Sequence, residues 1–158
     1  MESAQYLTFF LDTELFAFEV LRVREVLELS RITKVPRTSA FMIGVINLRG
    51  GVVPVVDLRR KFAMDPIEPT IDTAVVIIES FVGGDTLVIG VLVDAVKEVI
   101  RLDGTEVEAP PRVGMRVSGD FISAIGKKDN HFVILLDTTK LFSAEELEIF
   151  QTKEAVSA

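Results

Sequence analysis

The chain has 158 residues, 49% of them hydrophobic, with 24 acidic side chains against 17 Lys and Arg and a formal net charge of −7. That length suits one domain or two small lobes sharing a core, and an acidic balance argues against tracking phosphate backbones, which needs Lys and Arg. The chain has no cysteine, so disulfides and thiolate metal sites are excluded, and its apolar runs, such as Ala74–Ile78 and Leu87–Val93, are far shorter than the ~20 residues of a membrane span.

In chain order, Gln5–Leu11 and Leu15–Val20 are β-rich runs separated by Asp12-Thr13-Glu14, a hairpin signal. Val20, Val23, Val26 and Leu27 then follow helical spacing, which predicts one or two turns of amphipathic helix carrying Arg22, Arg24 and Glu25. Pro36 and Thr38 mark a loop. Next comes the most informative stretch, Gly44 to Phe62, GVINLRGGVVPVVDLRRKF. Two apolar runs, Val45–Leu48 and Val52–Val56, flank Arg49-Gly50-Gly51, and the Gly pair permits a tight turn that holds Arg49 at its edge. Asp57 ends the second run. Arg59, Arg60 and Lys61 read as the solvated end of a short helix rather than a nucleic-acid patch.

The same grammar then returns. Ala74–Val82 and Leu87–Val93 are strand-like and are joined by Gly83-Gly84-Asp85, and Val93, Val96, Val99 and Ile100 repeat the helical spacing. Val23-Arg24-Glu25-Val26 matches Val96-Lys97-Glu98-Val99 at an offset of 73 (96 − 23), and Val35-Pro36 matches Ala109-Pro110. VILLDTTKLF at Val133–Phe142 echoes VPVVDLRRKF at Val53–Phe62, so that Asp137 falls on Asp57 at an offset of 80 (137 − 57). These matches indicate two related β-lobes made by duplication. The approximate lobes are 13–68 and 69–150, with strand 5–12 unassigned to either, and the split falls in the acidic, Pro-containing stretch Asp65–Asp72. Asp57 and Asp137 each end a strand and are expected to cap a short helical turn. Ser143-Ala144-Glu145-Glu146 reads as a capping box opening a last helix, with Phe142 and Leu147 as its staple. Many short strands with few helices predict an all-β chain of small barrels or a sandwich, and two lobes side by side would leave a seam suited to a partner.

Signs of chemistry are few. The single histidine, His131, aligns with Gly51 at a turn and reads as solvated. No phosphate-cradling glycine loop follows a strand, and no GxSxG elbow occurs. One Tyr and no Trp leave few stacking platforms for single-stranded nucleic acid. A carboxylate enzyme using Asp57/Asp137 or Asp94/Asp103 needs no rare residue and stays open as an alternative, as does a nucleic-acid-binding barrel, although the charge opposes it.

The Gly44–Phe62 block, the Val-x-Glu-Val step and the duplication together resemble the CheW family of chemotaxis coupling proteins, over about Gln5 to Phe150. The block is highly specific to CheW-like domains, and the length is similar to that of the stand-alone form. The resemblance implies two SH3-like five-stranded β-barrels packed side by side, with short helices and a C-terminal helix. It implies a cytoplasmic adaptor without catalytic activity, cofactor or metal. Its implied partners are the regulatory domain of a CheA-type histidine kinase, the cytoplasmic tips of methyl-accepting chemotaxis receptors, and other copies in rings. Nucleic acid and direct membrane insertion are not implied; the inner face of the membrane is reached through receptor arrays. Val23, Glu25 and Arg49 match family positions tied to receptor coupling, and Val96 and Val99 match second-lobe positions where changes alter it. Val26 completes the expected apolar stripe. Glu25 and Arg49 would set register, or pair with each other. Where many relatives place a single Gly after the Arg, this chain has Gly50-Gly51, so a looser turn is expected. CheW-like scaffolds also serve pilus motility and other receptor–kinase arrays.

Overall fold

A computed structural model describes residues 3–29, 32–34, 41–82, 85–110 and 121–142. The expected C-terminal helix, with Ser143 and Leu147, lies outside the described residues, as do Val35-Pro36 and Gly83-Gly84. Strands β1 (Ala4–Leu11) and β2 (Glu14–Glu19) form a hairpin, and a single 3-10 turn leads into β3 (Val23–Glu28). β4 (Met42–Leu48) and β5 (Gly51–Asp57) form the second hairpin, followed by the one-turn helix α1 (Leu58–Lys61). After β6 (Ala74–Val82) and β7 (Asp85–Val93) come β8 (Ala95–Leu102), β9 (Val107–Glu108), β10 (Ile122–Lys128) and β11 (His131–Leu136).

The strands make two sheets, ordered β8-β1-β2-β11-β10-β9 and β3-β6-β7-β5-β4. Each sequence repeat is a hairpin followed by a three- or four-strand unit, and the sheets exchange those hairpins. β1–β2 joins β8–β11, while β6–β7 joins β3–β5. Sheet membership is therefore not colinear with a cut near residue 69. The two parallel ladders confirm the repeat in register. Val55 faces Gly90 on β5–β7, and Leu135 faces Ala17 on β11–β2; an offset of 80 carries Val55 to Leu135 (135 − 55), and one of 73 carries Ala17 to Gly90 (90 − 17). Small residues occupy both equivalent positions.

Strand alternation divides the core into three layers. Val75 and Ile77 on β6 point into the second sheet's own barrel with Ile46, Val53 and Val55. Their neighbours Val76 and Ile78 point to a seam shared with Phe9, Phe16 and Phe18 of the other sheet. Ala17, Leu102, Val133 and Leu135 fill the first sheet's barrel. The seam is a closed core rather than a groove along its length, because Phe9, Phe16, Phe18, Ile78 and Ile89 are all fully buried in it. Burying a large aromatic or aliphatic side chain contributes roughly 1.5–3 kcal/mol, so this layer dominates cohesion. Near the repeat's pseudo-symmetry axis, Phe41 stacks on Phe142 at 6.0 Å and Phe62 on Phe121 at 6.1 Å. These two pairs are images of each other under the 80-residue offset.

The helical spacing at Val20–Leu27 and Val93–Ile100 is a misreading that the registers correct. Val23 and Val26 are three residues apart, yet their partners Ile78 and Val76 are two apart, because a bulge sits between Val23 and Glu25. Likewise Val96 faces Phe9 and Val99 faces Leu7. A bulge inserts one extra residue, so a strand's period of two becomes a local spacing of three that imitates a helix. Thr8 fills the gap opposite the second bulge: its Oγ1 donates to the Glu98 carbonyl at 2.7 Å and accepts from the Glu98 N–H at 3.1 Å.

Candidate functional site

The β4–β5 turn is tight, not loosened by the extra glycine. Arg49 (φ 51) and Gly50 (φ 84) both take left-handed backbone, as a two-residue hairpin turn requires, and Gly51 already pairs with Leu48 as the first residue of β5. The Asn47 side-chain oxygen accepts from the Gly50 N–H at 2.9 Å and braces the turn. Arg49 thereby points across the barrel mouth at Glu25 on β3. Its two terminal nitrogens donate to Glu25 Oε1 and Oε2 at 2.6 and 3.0 Å, a fork-on-carboxylate geometry. That hydrogen bonding and the Glu25 charge raise the Arg49 pKa further. β3 and β4 are opposite ends of their sheet, so the pair bridges the barrel's two edges. Close by, Thr33 exchanges two backbone hydrogen bonds with Val45 on β4, both at 2.9 Å. The close approach demands Gly44 (φ +152), since a Cβ there would lie 2.3 Å from the Thr33 carbonyl oxygen.

Residues directly opposite in a ladder share a face. Val23 and Val26, opposite Ile78 and Val76, therefore face the seam side of the second sheet. Val96 and Val99, opposite Phe9 and Leu7, face the seam side of the first. Val23 and Val96 pack on the seam core, while Val26 (41% accessible) and Val99 (51%) are open to solvent. Glu25, opposite Ile77, faces the barrel side of β3 instead, so Val23 and Val26 lie on one face of that strand and the Glu25–Arg49 pair on the other, while Val96 and Val99 lie on the edge strand of the other sheet.

The repeat does not reproduce the ion pair. Glu25 corresponds to Glu98 and Arg49 to Asp129, two carboxylates that cannot bond as Glu25 and Arg49 do. Lys97 reaches Glu98 only at 3.8 Å, and Lys128 turns to Glu106 at 3.4 Å and to the Arg101 carbonyl at 3.1 Å. An open cavity of about 260 Å³ remains there, bordered by Lys97, Glu98, Arg101, Asp129 and His131.

The candidate carboxylates Asp57, Asp137 and Asp103 are engaged within the fold. Asp57 Oδ1 accepts from the Arg59 N–H at 3.0 Å at the start of α1, and burial raises the Asp57 pKa despite that bond and the nearby Arg60. Asp137 Oδ1 accepts from the Thr139 N–H at 2.9 Å in the equivalent place. Asp103 accepts from the Thr105 hydroxyl and N–H, which holds its carboxyl below the usual range. Among the described residues no three His, Cys, Asp or Glu side chains converge as a metal site.

Arg59, expected to be solvated, is instead buried (4% accessible). One terminal nitrogen contacts Asp12 Oδ1 and Asp94 Oδ2, each at 2.7 Å, and its Nε donates to the Asp65 carbonyl at 2.8 Å. Burial opposes the charge, but the two aspartates outweigh it and raise the pKa. Asp12 and Asp94 lie 47 and 35 residues away in sequence, so no local spacing announces this cluster. Lys61, also expected in solvent, sits over the rings of Phe41, Phe121 and Phe142.

Comparison with known proteins identifies the site's setting. The CheW-like domain family matches residues 5–146. The chain belongs to the CheW family. It is 30% identical to a chemotaxis protein CheW of Klebsiella aerogenes, covering 92% of this chain and 85% of that one. It is also 30% identical to Protein FrzA of Myxococcus xanthus, over 82% and 85% of the two chains. The crystal structure of scaffolding protein TtCheW from Thermoanaerobacter tengcongensis superposes with a TM-score of 0.81 at 33% identity, covering 92% of each chain. CheW membership makes this chain a non-enzymatic scaffold of the chemotaxis type with an SH3-like β architecture. No helix among the described residues is long and apolar enough to cross a membrane.

Proposed function

We propose that this chain is a cytoplasmic adaptor that couples methyl-accepting chemoreceptors to a CheA-type histidine kinase, so that receptor state sets kinase autophosphorylation. The observation that carries the reading is the edge strand β3, which presents two different faces. On the seam side Val26 is exposed next to the seam-packed Val23, and on the barrel side Glu25 holds Arg49 in a bidentate ion pair built on a rigid turn. Receptor helices would lay an apolar stripe against Val23 and Val26, and against Val96 and Val99 on the other edge, in a helix-in-groove mode. Glu25 and Arg49 would fix register and partner choice more than raw affinity. The kinase's regulatory domain would join through the barrel ends, where further copies of the chain could close rings, and the inner face of the membrane would be reached through the receptors.

The similarity to Protein FrzA favours a second reading, the same scaffold serving a receptor–kinase array outside swimming chemotaxis. Pull-down of the purified chain with a CheA-type kinase, with and without a receptor cytoplasmic fragment, tests the common core of both readings. A ternary complex is the expected result. A folded chain that binds neither partner would refute it, and the identity of the responding receptor separates the two pathways.

A further inference from the structure

The seam between the barrels is apolar and nearly symmetric. Contacts of that kind hold surfaces together without strongly fixing their angle, because hydrophobic attraction is non-directional. An ionic contact between the sheets adds direction, and it lies at one end of the seam. Arg59 follows β5 of the second sheet, Asp12 sits in the β1–β2 turn of the first, and Asp94 is the single residue joining β7 to β8, where the chain passes from one sheet to the other. Asp94 also accepts from the Asp12 N–H at 2.7 Å and donates its own N–H to the Phe10 carbonyl at 3.1 Å. The guanidinium therefore ties together both sheets and the crossing point.

On the other side of the pseudo-symmetry axis the equivalents are Thr139, Asp85 and Leu21. Leu21 is 80% accessible, and Thr139 Oγ1 donates to its neighbour Asp137, at 2.6 Å. A neutral hydrogen bond crosses nearby, from the Ser80 hydroxyl to the Thr138 carbonyl at 2.8 Å. Among the described residues, an ion cluster latches one end of the seam and a neutral hydrogen bond spans the other.

We infer that Arg59 is a positioning residue that fixes the angle between the two barrels, and with it the relative placement of the β3 and β8 edges. This role in coupling rests on the adaptor reading above, although the geometry itself does not. Arg59 is buried, with Asp94 16% and Asp12 50% accessible, and in some proteins a buried charged group selects one arrangement more than it adds cohesion.

The test uses the full chain. Val52 and Phe132 are repeat equivalents (132 − 52 = 80) on opposite sheets, exposed at 63% and 67%, and the chain has no native cysteine. Spin labels at Val52→Cys and Phe132→Cys report the inter-barrel distance by pulsed resonance. In the Arg59 parent a single narrow distribution is expected. With Arg59→Met the distribution should broaden or shift at temperatures well below the unfolding midpoint, and Arg59→Lys should restore part of the narrowness. Should Arg59→Met fail to fold through its unpaired aspartates, the Asp12→Asn, Arg59→Met, Asp94→Asn triple variant removes those charges and gives the same reading. An unchanged narrow distribution in either folded variant overturns the inference. The labels need no partner protein, so a failure of the coupling reading leaves this result standing. With receptor and kinase present, Arg59→Met should lower the receptor-dependent kinase response several-fold with every edge residue intact.

Discussion

The two repeats build their strands alike and their ion pairs differently. Both share the hairpin-plus-unit order, the parallel register, a capping Asp and a swapped Phe pair. The first repeat supplies both arginines, Arg49 on Glu25 and Arg59 on Asp12 and on the second repeat's Asp94; the second has Asp129 and Thr139 in the places of the arginines. Apolar alternation is what a duplicated fold must keep. Charged contacts are free to diverge, and here they mark one barrel mouth as closed and one end of the seam as latched.

The strongest break in the comparison comes from its shared part. Val55→Asp and its equivalent Leu135→Asp each place an unpaired charge in a filled barrel interior, a cost well beyond the few kcal/mol of an unsatisfied neutral group. Both variants should lose cooperative unfolding by circular dichroism. Because the hairpins are exchanged, neither should leave a separately melting barrel; a surviving second transition would mean that the barrels are independent.

Gly44→Ala sharpens a local difference. The strained backbone costs about 1–3 kcal/mol, and the contact with the Thr33 carbonyl adds to it. Its equivalent, Ala124, has no positive φ, so Ala124→Gly should cost at most about 1 kcal/mol. Denaturant midpoints of the two variants check the contrast, and equal losses would contradict it.

Asp57→Asn probes the capped turn through pH. The folded-state pKa of Asp57 is raised by burial, so its ionised form weakens the fold at neutral pH and the stability is regained as pH falls through that pKa. The Asn variant, which still offers an oxygen to the Arg59 N–H, should be the more stable at neutral pH. That advantage should fade as wild-type Asp57 takes up its proton in acid. An advantage growing towards acid would reverse the assigned cause.

The smallest effect is expected at Thr138, whose hydroxyl is buried without a partner among the described residues. The 80-residue equivalent is the apolar Leu58. Thr138→Val keeps the carbonyl that Ser80 uses and should raise stability by roughly 1 kcal/mol or less, read as a higher thermal midpoint. A clear fall would reveal a partner for the hydroxyl.

The strands, the hairpin turns and the duplication were legible in the sequence because each rests on short-range pattern. Val45–Leu48 and Val52–Val56 fall inside β4 and β5, and Leu87–Val93 falls inside β7. The strands β3 and β8 were not legible, since one bulged residue turns alternation into a three-residue spacing at Val23 to Val26 and Val96 to Val99. Hairpin exchange is also invisible locally: nothing in β1 says that it will pair with β8 rather than with its own repeat. Of the candidate site, Glu25 and Arg49 are reached as a pair only through the family resemblance, because the residues around Glu25 read as a helix. Arg59 is not reached, because a basic residue in an Arg-Arg-Lys run looks solvated until distant aspartates are brought to it by the fold.

The central claim is that the edge strand β3 and the Glu25–Arg49 pair serve receptor coupling rather than stability. The most direct measurement is autophosphorylation of a CheA-type kinase with a receptor cytoplasmic fragment, using the wild-type chain, Arg49→Glu and the charge-swapped Glu25→Arg, Arg49→Glu pair, each with its thermal midpoint. The account predicts a receptor-dependent response with wild type, a large loss with Arg49→Glu at a nearly unchanged midpoint, and no full rescue by the swap. A large fall in midpoint, or a full response from folded Arg49→Glu, would contradict it.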